Sequence, residues 1–193
     1  MTALSQPPGG RRLTVVEYAR LDEDDRHRWE LQEGNLVGSP SPSPHHMIAA
    51  LELAVQLRTQ LPKGLRVVVE VDIDLELAQP GRPGWSRRPD LVVVSQEALD
   101  RVECEGGLLL ASEVQVVIEI VSPRSHRTDY VVKREEYADA GIPHYWIVDL
   151  DPPVSLLNCH LAGEFGYLDG GGHTRVFETT APFSVCLRLN ELS

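Results

Sequence analysis

Two stretches, RPDLVVV at residues 88–94 and VVIEIV at residues 116–121, decide how the rest of the chain is interpreted. Each is an apolar run of strand length that carries one carboxylate, Asp90 in the first and Glu119 in the second. Burying an unpaired carboxylate costs several kcal/mol, comparable to the whole stability of a domain, unless a cation neutralises it. The two runs together therefore predict a divalent cation site.

Side-chain alternation predicts where these two carboxylates lie in a sheet. In residues 114–121, both faces of the strand are apolar apart from Gln115 and Glu119, so we expect a central strand. Asp90 directly follows Pro89, which lacks an N–H and is tolerated at the end of a strand. Two carboxylate oxygens, completed by water and a substrate phosphate, are the kind of ligand set that Mg²⁺ prefers.

Lys133 is the third informative residue, because Lys63 and Lys133 are the only lysines among eighteen Lys and Arg residues. It lies in a predicted helix over residues 129–140, on the same face as Tyr137. Lysine loses a proton far more readily than arginine does. An amine beside a metal is suited to orient or activate an attacking water.

The remaining patterns predict a mixed α/β protein. Thr14 to Glu17 has the S/T-x-x-E form of a capping box, which opens a helix. The other predicted elements alternate between helix and strand. They are a helix to residue 21, a hairpin at 29–31 and 36–37, a Pro/Ser linker at 39–44, a helix at 45–60, a strand at 65–77 with solvent-facing carboxylates, a helix at 96–101, a strand at 144–149, and a terminal meander with a turn at 169–172.

Bulk properties indicate one globular domain. A chain of 193 residues with 42% hydrophobic and 24% charged residues is long enough to bury one core. Residues 1–12 contain prolines, glycines and arginines without an apolar core, so we expect a disordered leader followed by a single domain at 13–193. Because no long uncharged run is present and the three cysteines are widely spaced, we expect no membrane span and a cytoplasmic location.

The net charge of −11 argues against nucleic-acid binding through bulk electrostatics. Positive charge is nevertheless concentrated around the two decisive strands. Arg87 and Arg88 precede Asp90, whereas Arg124 and Arg127 follow Glu119. These arginines are candidates for neutralising the phosphates that flank a scissile bond.

Several segments taken in order resemble a known family. They are WELQEG at 29–34, SPSPHH at 41–46, RPDLVV at 88–93, EIVSP at 119–123, and Lys133 followed by YADAGIP at 137–143 and YWIVD at 145–149. This order resembles the Uma2 family of putative restriction endonucleases, within the PD-(D/E)XK nuclease superfamily, over nearly the whole chain from Leu13.

The resemblance implies a restriction-endonuclease-like fold, with a mixed β-sheet flanked by α-helices, and hydrolysis of phosphodiester bonds in DNA. It implies that Asp90 and Glu119 hold Mg²⁺ or Mn²⁺, that Glu30 is a third acidic site residue and metal ligand, and that His46 lines the pocket. Cleavage of two strands is easier for a two-fold dimer, so we expect a homodimer.

The chain departs from the superfamily at one important position. The usual lysine lies two residues after the glutamate, where this chain has Val121, and Lys133 resembles a relocated replacement. His144 stands where many relatives carry an acidic residue, a change expected to affect the surface.

Plainer interpretations stay open at this point. Asp90 is also suited to cap a turn, Glu119 and Lys133 to form a structural ion pair, Glu30 to lie on a hairpin surface and His46 to cap a helix. The alternative function is a catalytically inactive nuclease-fold module that binds nucleic acid or a protein partner.

Overall fold

The computed structural model of the protein describes residues 4–5, 11–21, 28–39 and 41–192. A π-helical turn at Thr128–Val132 leads directly into the last of four α-helices found there. None of these helices is long and apolar enough to cross a membrane. The helices are α1 (Val15–Tyr18), α2 (Pro44–Arg58), α3 (Gln96–Glu105) and α4 (Lys133–Asp139).

The described strands form two mixed six-stranded sheets and one hairpin. The main sheet has the order β12-β11-β10-β9-β7-β4, and only β9 and β10 run parallel within it. The small sheet has the order β1-β3-β2-β6-β5-β8, and β13 pairs with β14 in the hairpin. The strands are β1 (Leu4–Ser5), β2 (Arg28–Gln32), β3 (Asn35–Ser39), β4 (Leu65–Val69), β5 (Ile73–Asp74), β6 (Ser86–Arg87), β7 (Leu91–Ser95), β8 (Leu109–Leu110), β9 (Val114–Val121), β10 (His144–Asp149), β11 (Ser155–Leu161), β12 (Tyr167–Thr174), β13 (Val176–Thr179) and β14 (Val185–Arg188).

Apolar side chains cover both faces of the main sheet. On one face, Ile118 of β9 belongs to a core that includes Leu53 of α2 and Phe177 of the C-terminal hairpin. On the other face, Val117 belongs to a core that includes Tyr137 of α4. The prediction of a central β9 strand, and of a mixed sheet flanked by helices, is therefore confirmed.

Helix α2 packs on the main sheet and is hydrogen-bonded to the C-terminal hairpin. Ser43 caps the helix, because its hydroxyl accepts a hydrogen bond of 3.2 Å from the backbone N–H of His46. At the other end, the side-chain amides of Gln56 and Gln60 bond to both backbone groups of Arg188 and Cys186 on β14, at 2.8–3.3 Å. Two glutamines thus close an edge that a neighbouring strand would otherwise cover.

The single strand predicted at residues 65–77 is two strands in different sheets. Strand β4 ends at Val69, and Glu70 has a φ of 52°, which redirects the chain before β5 begins in the small sheet. The carboxylates were expected to face solvent, but Asp72 is partly buried and accepts two hydrogen bonds from the guanidinium of Arg88. The expectation therefore fails for Asp72, which forms an ion pair, whereas Glu76 is exposed as expected.

The prediction of a turn at residues 169–172 is wrong. These residues lie inside β12, which pairs with β11 through a bulge at Asn158 and Cys159. A Cβ atom on Gly170 would overlap the side-chain amide of Asn158. Glycine here allows close packing of a side chain against a strand and does not reverse the chain.

Near the N-terminus, the Thr14 capping box and the β2–β3 hairpin are confirmed, although α1 ends at Tyr18. Leu4 and Ser5 pair with β3, so this part of the predicted disordered leader is placed in a sheet. Residues 1–3 and 6–10 of that leader lie outside the described residues.

The C-terminal hairpin docks through Phe177, which is fully buried and meets Trp146 edge-on at a centroid distance of 5.0 Å. We expect Phe177→Ala to lower the free energy of unfolding by about 3–5 kcal/mol, measured by urea titration, because it leaves a cavity. Val176→Ala is the matched control, since Val176 is exposed and its substitution should change stability by less than about 0.5 kcal/mol. Equal effects of the two substitutions would contradict the docking role of Phe177.

Candidate active site

Strands β7 and β9 place Asp90 and Glu119 side by side. Their antiparallel register pairs Leu91 with Ile118, so the next pair along the two chains is Asp90 and Glu119. Asp90 Oδ2 accepts a hydrogen bond of 2.7 Å from the backbone N–H of Ile120, which fixes its carboxylate at the end of the sheet. Both carboxylates are almost completely buried.

His46 reaches the same point from α2. Its Nε2 lies 2.8 Å from Asp90 Oδ1, where an imidazole N–H donates to the carboxylate. The capped first turn of α2 sets this position, because Ser43 and Pro44 fix where the helix begins. His46 therefore lies in the cluster, whereas its neighbour His45 is exposed.

The two oxygens of Glu119 have different surroundings. Oε1 accepts hydrogen bonds from the ammonium of Lys133 at 2.8 Å and from the hydroxyl of Tyr137 at 2.7 Å. No described residue donates to Oε2. Among the described residues, Ser86 Oγ is the only fully buried side-chain polar atom without a partner, so Glu119 Oε2 still touches solvent.

Lys133 holds three carboxylates from separate parts of the chain. Besides Glu119, its Nζ lies 3.3 Å from Glu30 Oε1 and 3.8 Å from Asp129 Oδ1. The π-helical turn before α4 carries Asp129 four residues ahead of Lys133, so both point to the same buried side. The sequence placed Lys133 on the inward face of its helix, and the structure confirms that placement.

Glu30 is engaged on both oxygens. Its Oε2 accepts a 2.7 Å bond from Arg87 Nη1, and its Oε1 accepts a 3.2 Å bond from the backbone N–H of Arg88. Arg87 in turn donates from Nε and Nη2 to both oxygens of Glu136, at 2.6 and 2.7 Å. The guanidiniums of Arg87 and Arg88 are thus committed to carboxylates, contrary to the expectation that they face substrate phosphates.

Negative charge exceeds positive charge in this cluster. The buried charged residues of the described chain are four carboxylates and two cations, namely Glu30, Asp90, Glu119, Asp129, Arg87 and Lys133. Burial, together with repulsion from Asp90, Asp129 and Glu30, outweighs the attraction of Lys133 and raises the pKa of Glu119 to about 8.

Glu30 has the opposite electrostatic balance. Burial alone would raise its pKa, but the attraction and hydrogen bonds of Lys133 and Arg87 lower the pKa of Glu30 to about 2. For Lys133 the signs are reversed. Burial alone would lower its pKa, whereas the attraction of Glu119, Glu30 and Asp129 raises its pKa above the usual value. The three carboxylates therefore hold Lys133 as a cation in this arrangement.

Three cluster residues, Asp129, Glu136 and Tyr137, were not predicted as site residues. Asp129 and Tyr137 stand four residues before and after Lys133, so helical spacing from Lys133 was the available signal. Glu136 enters through Arg87, a contact between distant segments that helical spacing does not reveal. The five predicted residues Glu30, His46, Asp90, Glu119 and Lys133 all lie in the cluster.

The donor set fits a hard cation in part. Asp90 and Glu119 are adjacent carboxylates, and Glu119 Oε2 is free to bind, which suits a metal completed by water. In the described part of the chain, however, no three His, Cys, Asp or Glu residues converge as a ready-made metal site. Glu30 would have to exchange contacts with Arg87 or Lys133 to become a third ligand.

A family model described as a putative restriction endonuclease, Uma2, matches residues 15–158. The chain belongs to the Uma2 family. The match spans the predicted site residues from Glu30 to Lys133, together with Asp129 and Tyr137. No curated protein matches this Uma2 chain.

A solved structure shares the fold of this Uma2 chain. It is described as a putative nuclease belonging to DUF820 from Anabaena variabilis ATCC 29413, and it superimposes with a TM-score of 0.69. The two sequences are 18% identical, and the alignment covers 93% of this chain and 97% of that chain. The fold class expected from the sequence is thereby confirmed.

The surplus of negative charge makes stability depend on pH. The pKa of folded Glu119, about 8, lies above the ordinary value of 4.5, so its contribution is present at low pH and lost as pH rises toward 8. In EDTA, Glu119→Gln should gain stability relative to wild type by up to about 1.4 kcal/mol per pH unit in this window, measured by urea unfolding.

Glu30→Gln should behave in the opposite way. Because the pKa of Glu30 is lowered, its contribution is present above about pH 4.5 and lost as pH falls toward 2. The variant should therefore be less stable than wild type at neutral pH.

A stability difference between Glu119→Gln and wild type that does not change with pH would contradict the charge surplus.

Proposed function

We propose that the protein is a Mg²⁺- or Mn²⁺-dependent endonuclease that hydrolyses phosphodiester bonds in DNA. Membership of a family described as putative restriction endonucleases supports nuclease chemistry. The observation that carries the proposal is the side-by-side placement of Asp90 and Glu119, with Glu119 Oε2 free and in contact with solvent.

Asp90 and Glu119 would hold the metal. When bound, the metal would polarise the scissile phosphate and lower the pKa of its water. The excess of carboxylates over the cations Lys133 and Arg87 supports a divalent cation, because added positive charge next to Asp90 and Glu119 would offset their mutual repulsion.

The other residues of the cluster position these ligands. His46 and the backbone N–H of Ile120 hold the two oxygens of Asp90. Tyr137 and Lys133 hold Glu119 Oε1, which leaves Oε2 to face the metal. Glu30 assists the site by holding Lys133 and Arg87.

Lys133 takes the role of a cationic donor. Its ammonium lies next to Glu119, where it is placed to orient the attacking water and to stabilise charge that develops on the phosphate. This placement supports Lys133 as the counterpart of the lysine that the superfamily carries at the position of Val121. The homodimer and the cytoplasmic location stay predictions.

A plasmid cleavage assay tests the proposal. In Mn²⁺, wild type should convert supercoiled plasmid to open-circular and linear forms, and Asp90→Asn should reduce the rate at least about 100-fold, because it weakens a metal ligand. Asp100→Asn, on the exposed surface of α3, is the matched control and should cleave like wild type.

Two outcomes would overturn the nuclease proposal. Equal cleavage by wild type and Asp90→Asn would mean that the activity comes from another site or a contaminant. Absence of both cleavage and Mn²⁺ binding, measured by calorimetric titration, would favour the inactive binding module, in which Lys133 and Arg87 are the only cations that neutralise the buried carboxylates of the described chain.

Lys133→Met tests the donor role separately from metal binding. The substitution should lower the cleavage rate about 10²–10³-fold, the cost of losing one preorganised donor, while Mn²⁺ titration still shows binding. Loss of a buried cation also destabilises the fold by about 3–5 kcal/mol, so cleavage is compared only at temperatures where circular dichroism shows native protein. A folded variant that cleaves at the wild-type rate would remove this role.

A further inference from the structure

The connector between β9 and the π-helical turn has the sequence SPRSHR, residues 122–127, and is named the basic turn here. It begins directly after the strand that carries Glu119 and ends directly before the segment that carries Asp129 and Lys133. The segments before and after the basic turn in the sequence therefore both carry residues of the candidate active site.

Hydrogen bonds fix the backbone of the basic turn relative to the site. Ser122 and Ser125 are bonded to each other through backbone and side-chain groups at 2.9–3.2 Å. The backbone carbonyl of Ser125 also accepts a 2.8 Å bond from the N–H of Asp129, which lies in the buried cluster. The turn thus presents its long side chains from a defined position.

Two arginines of the turn differ from the others around the site. Arg87, Arg88 and Arg134 all form ion pairs with carboxylates. Arg124 and Arg127 are exposed, and neither forms an ion pair within the described residues. Their guanidiniums are available to an external anion, in a protein whose net charge is −11.

An aromatic pair lies in the same place. The ring of His126 stacks on Tyr130 with a centroid distance of 4.4 Å and an interplanar angle of 24°. Tyr130 is half-buried and packs against one face of the imidazole, whereas His126 is exposed. An exposed, stacked imidazole in the same short turn as two arginines without ion pairs in the described chain matches the chemistry that binds a nucleotide, with stacking for the base and cations for the phosphates.

We propose that the basic turn binds an unpaired segment of a DNA strand next to the active site. Arg124 and Arg127 pair with its phosphates, and His126, supported by Tyr130, stacks on one of its bases. This inference rests on the proposed function for the identity of the ligand. A single strand is favoured over a duplex because duplex bases are covered by their neighbours, and because a rigid duplex brings more phosphates toward an acidic surface.

The test is binding of a fluorescein-labelled 15-nucleotide oligo(dT) and of a duplex of the same length, followed by fluorescence anisotropy in Ca²⁺ at several NaCl concentrations. Wild type should bind the single strand more tightly than the duplex. Arg124→Gln/Arg127→Gln should weaken binding of the single strand at least about tenfold. It should also reduce the slope of log K against log salt by about 1.4, the value for two phosphate contacts on a single strand.

Two further variants sharpen the test. His126→Ala at pH 8 should weaken binding about 5- to 100-fold and leave the salt slope unchanged, as expected for lost stacking. Arg58→Gln/Arg175→Gln removes the same charge from exposed arginines outside the turn, without ion pairs in the described chain, and should bind like wild type.

The outcomes separate this inference from the nuclease proposal. Binding that the turn variants leave unchanged, a preference for duplex, or no binding of the oligonucleotide overturns the role of the basic turn, whatever the plasmid assay gives. Turn-dependent binding by a wild type that never cleaves in Mn²⁺ supports the basic turn and overturns the nuclease proposal instead.

Discussion

The ammonium of Lys133 is the interaction on which the site depends. It draws together Glu119 from β9, Glu30 from β2 and Asp129 from the π-helical turn, three carboxylates that repel one another without it. Breaking a buried ion pair costs about 3–5 kcal/mol, a large part of the 5–15 kcal/mol that stabilises a typical domain. The same contact that arranges the chemistry therefore helps to hold the main sheet, the small sheet and α4 together.

This arrangement accounts for the different behaviour of similar carboxylates. Glu30 has two cations and a backbone donor, so its charge is stabilised, whereas Glu119 shares one cation and faces three other carboxylates. Position within the network, and not residue type or depth of burial, separates a structural carboxylate from one suited to bind a cation. Tyr137 contributes by holding one oxygen of Glu119 and leaving the other free.

Much of the fold and of the cluster follows from local patterns. The apolar runs around Asp90 and Glu119 predicted their strands, and helical spacing predicted the inward position of Lys133. The β7–β9 register, which makes the two carboxylates neighbours, depends on contacts between distant segments and is not readable from either strand alone. The place of Gly170 inside a strand is not readable for a related reason, because this glycine packs against Asn158 on another strand.

Helix α2 links two regions that are otherwise far apart. Near the first turn of α2, His46 contacts Asp90. Near the last turn of α2, Gln56 and Gln60 form hydrogen bonds with the C-terminal hairpin. A rise of about 1.5 Å per residue makes the helix a rod roughly 20 Å long between these contacts. One helix therefore fixes both the imidazole next to Asp90 and the exposed edge of the C-terminal hairpin.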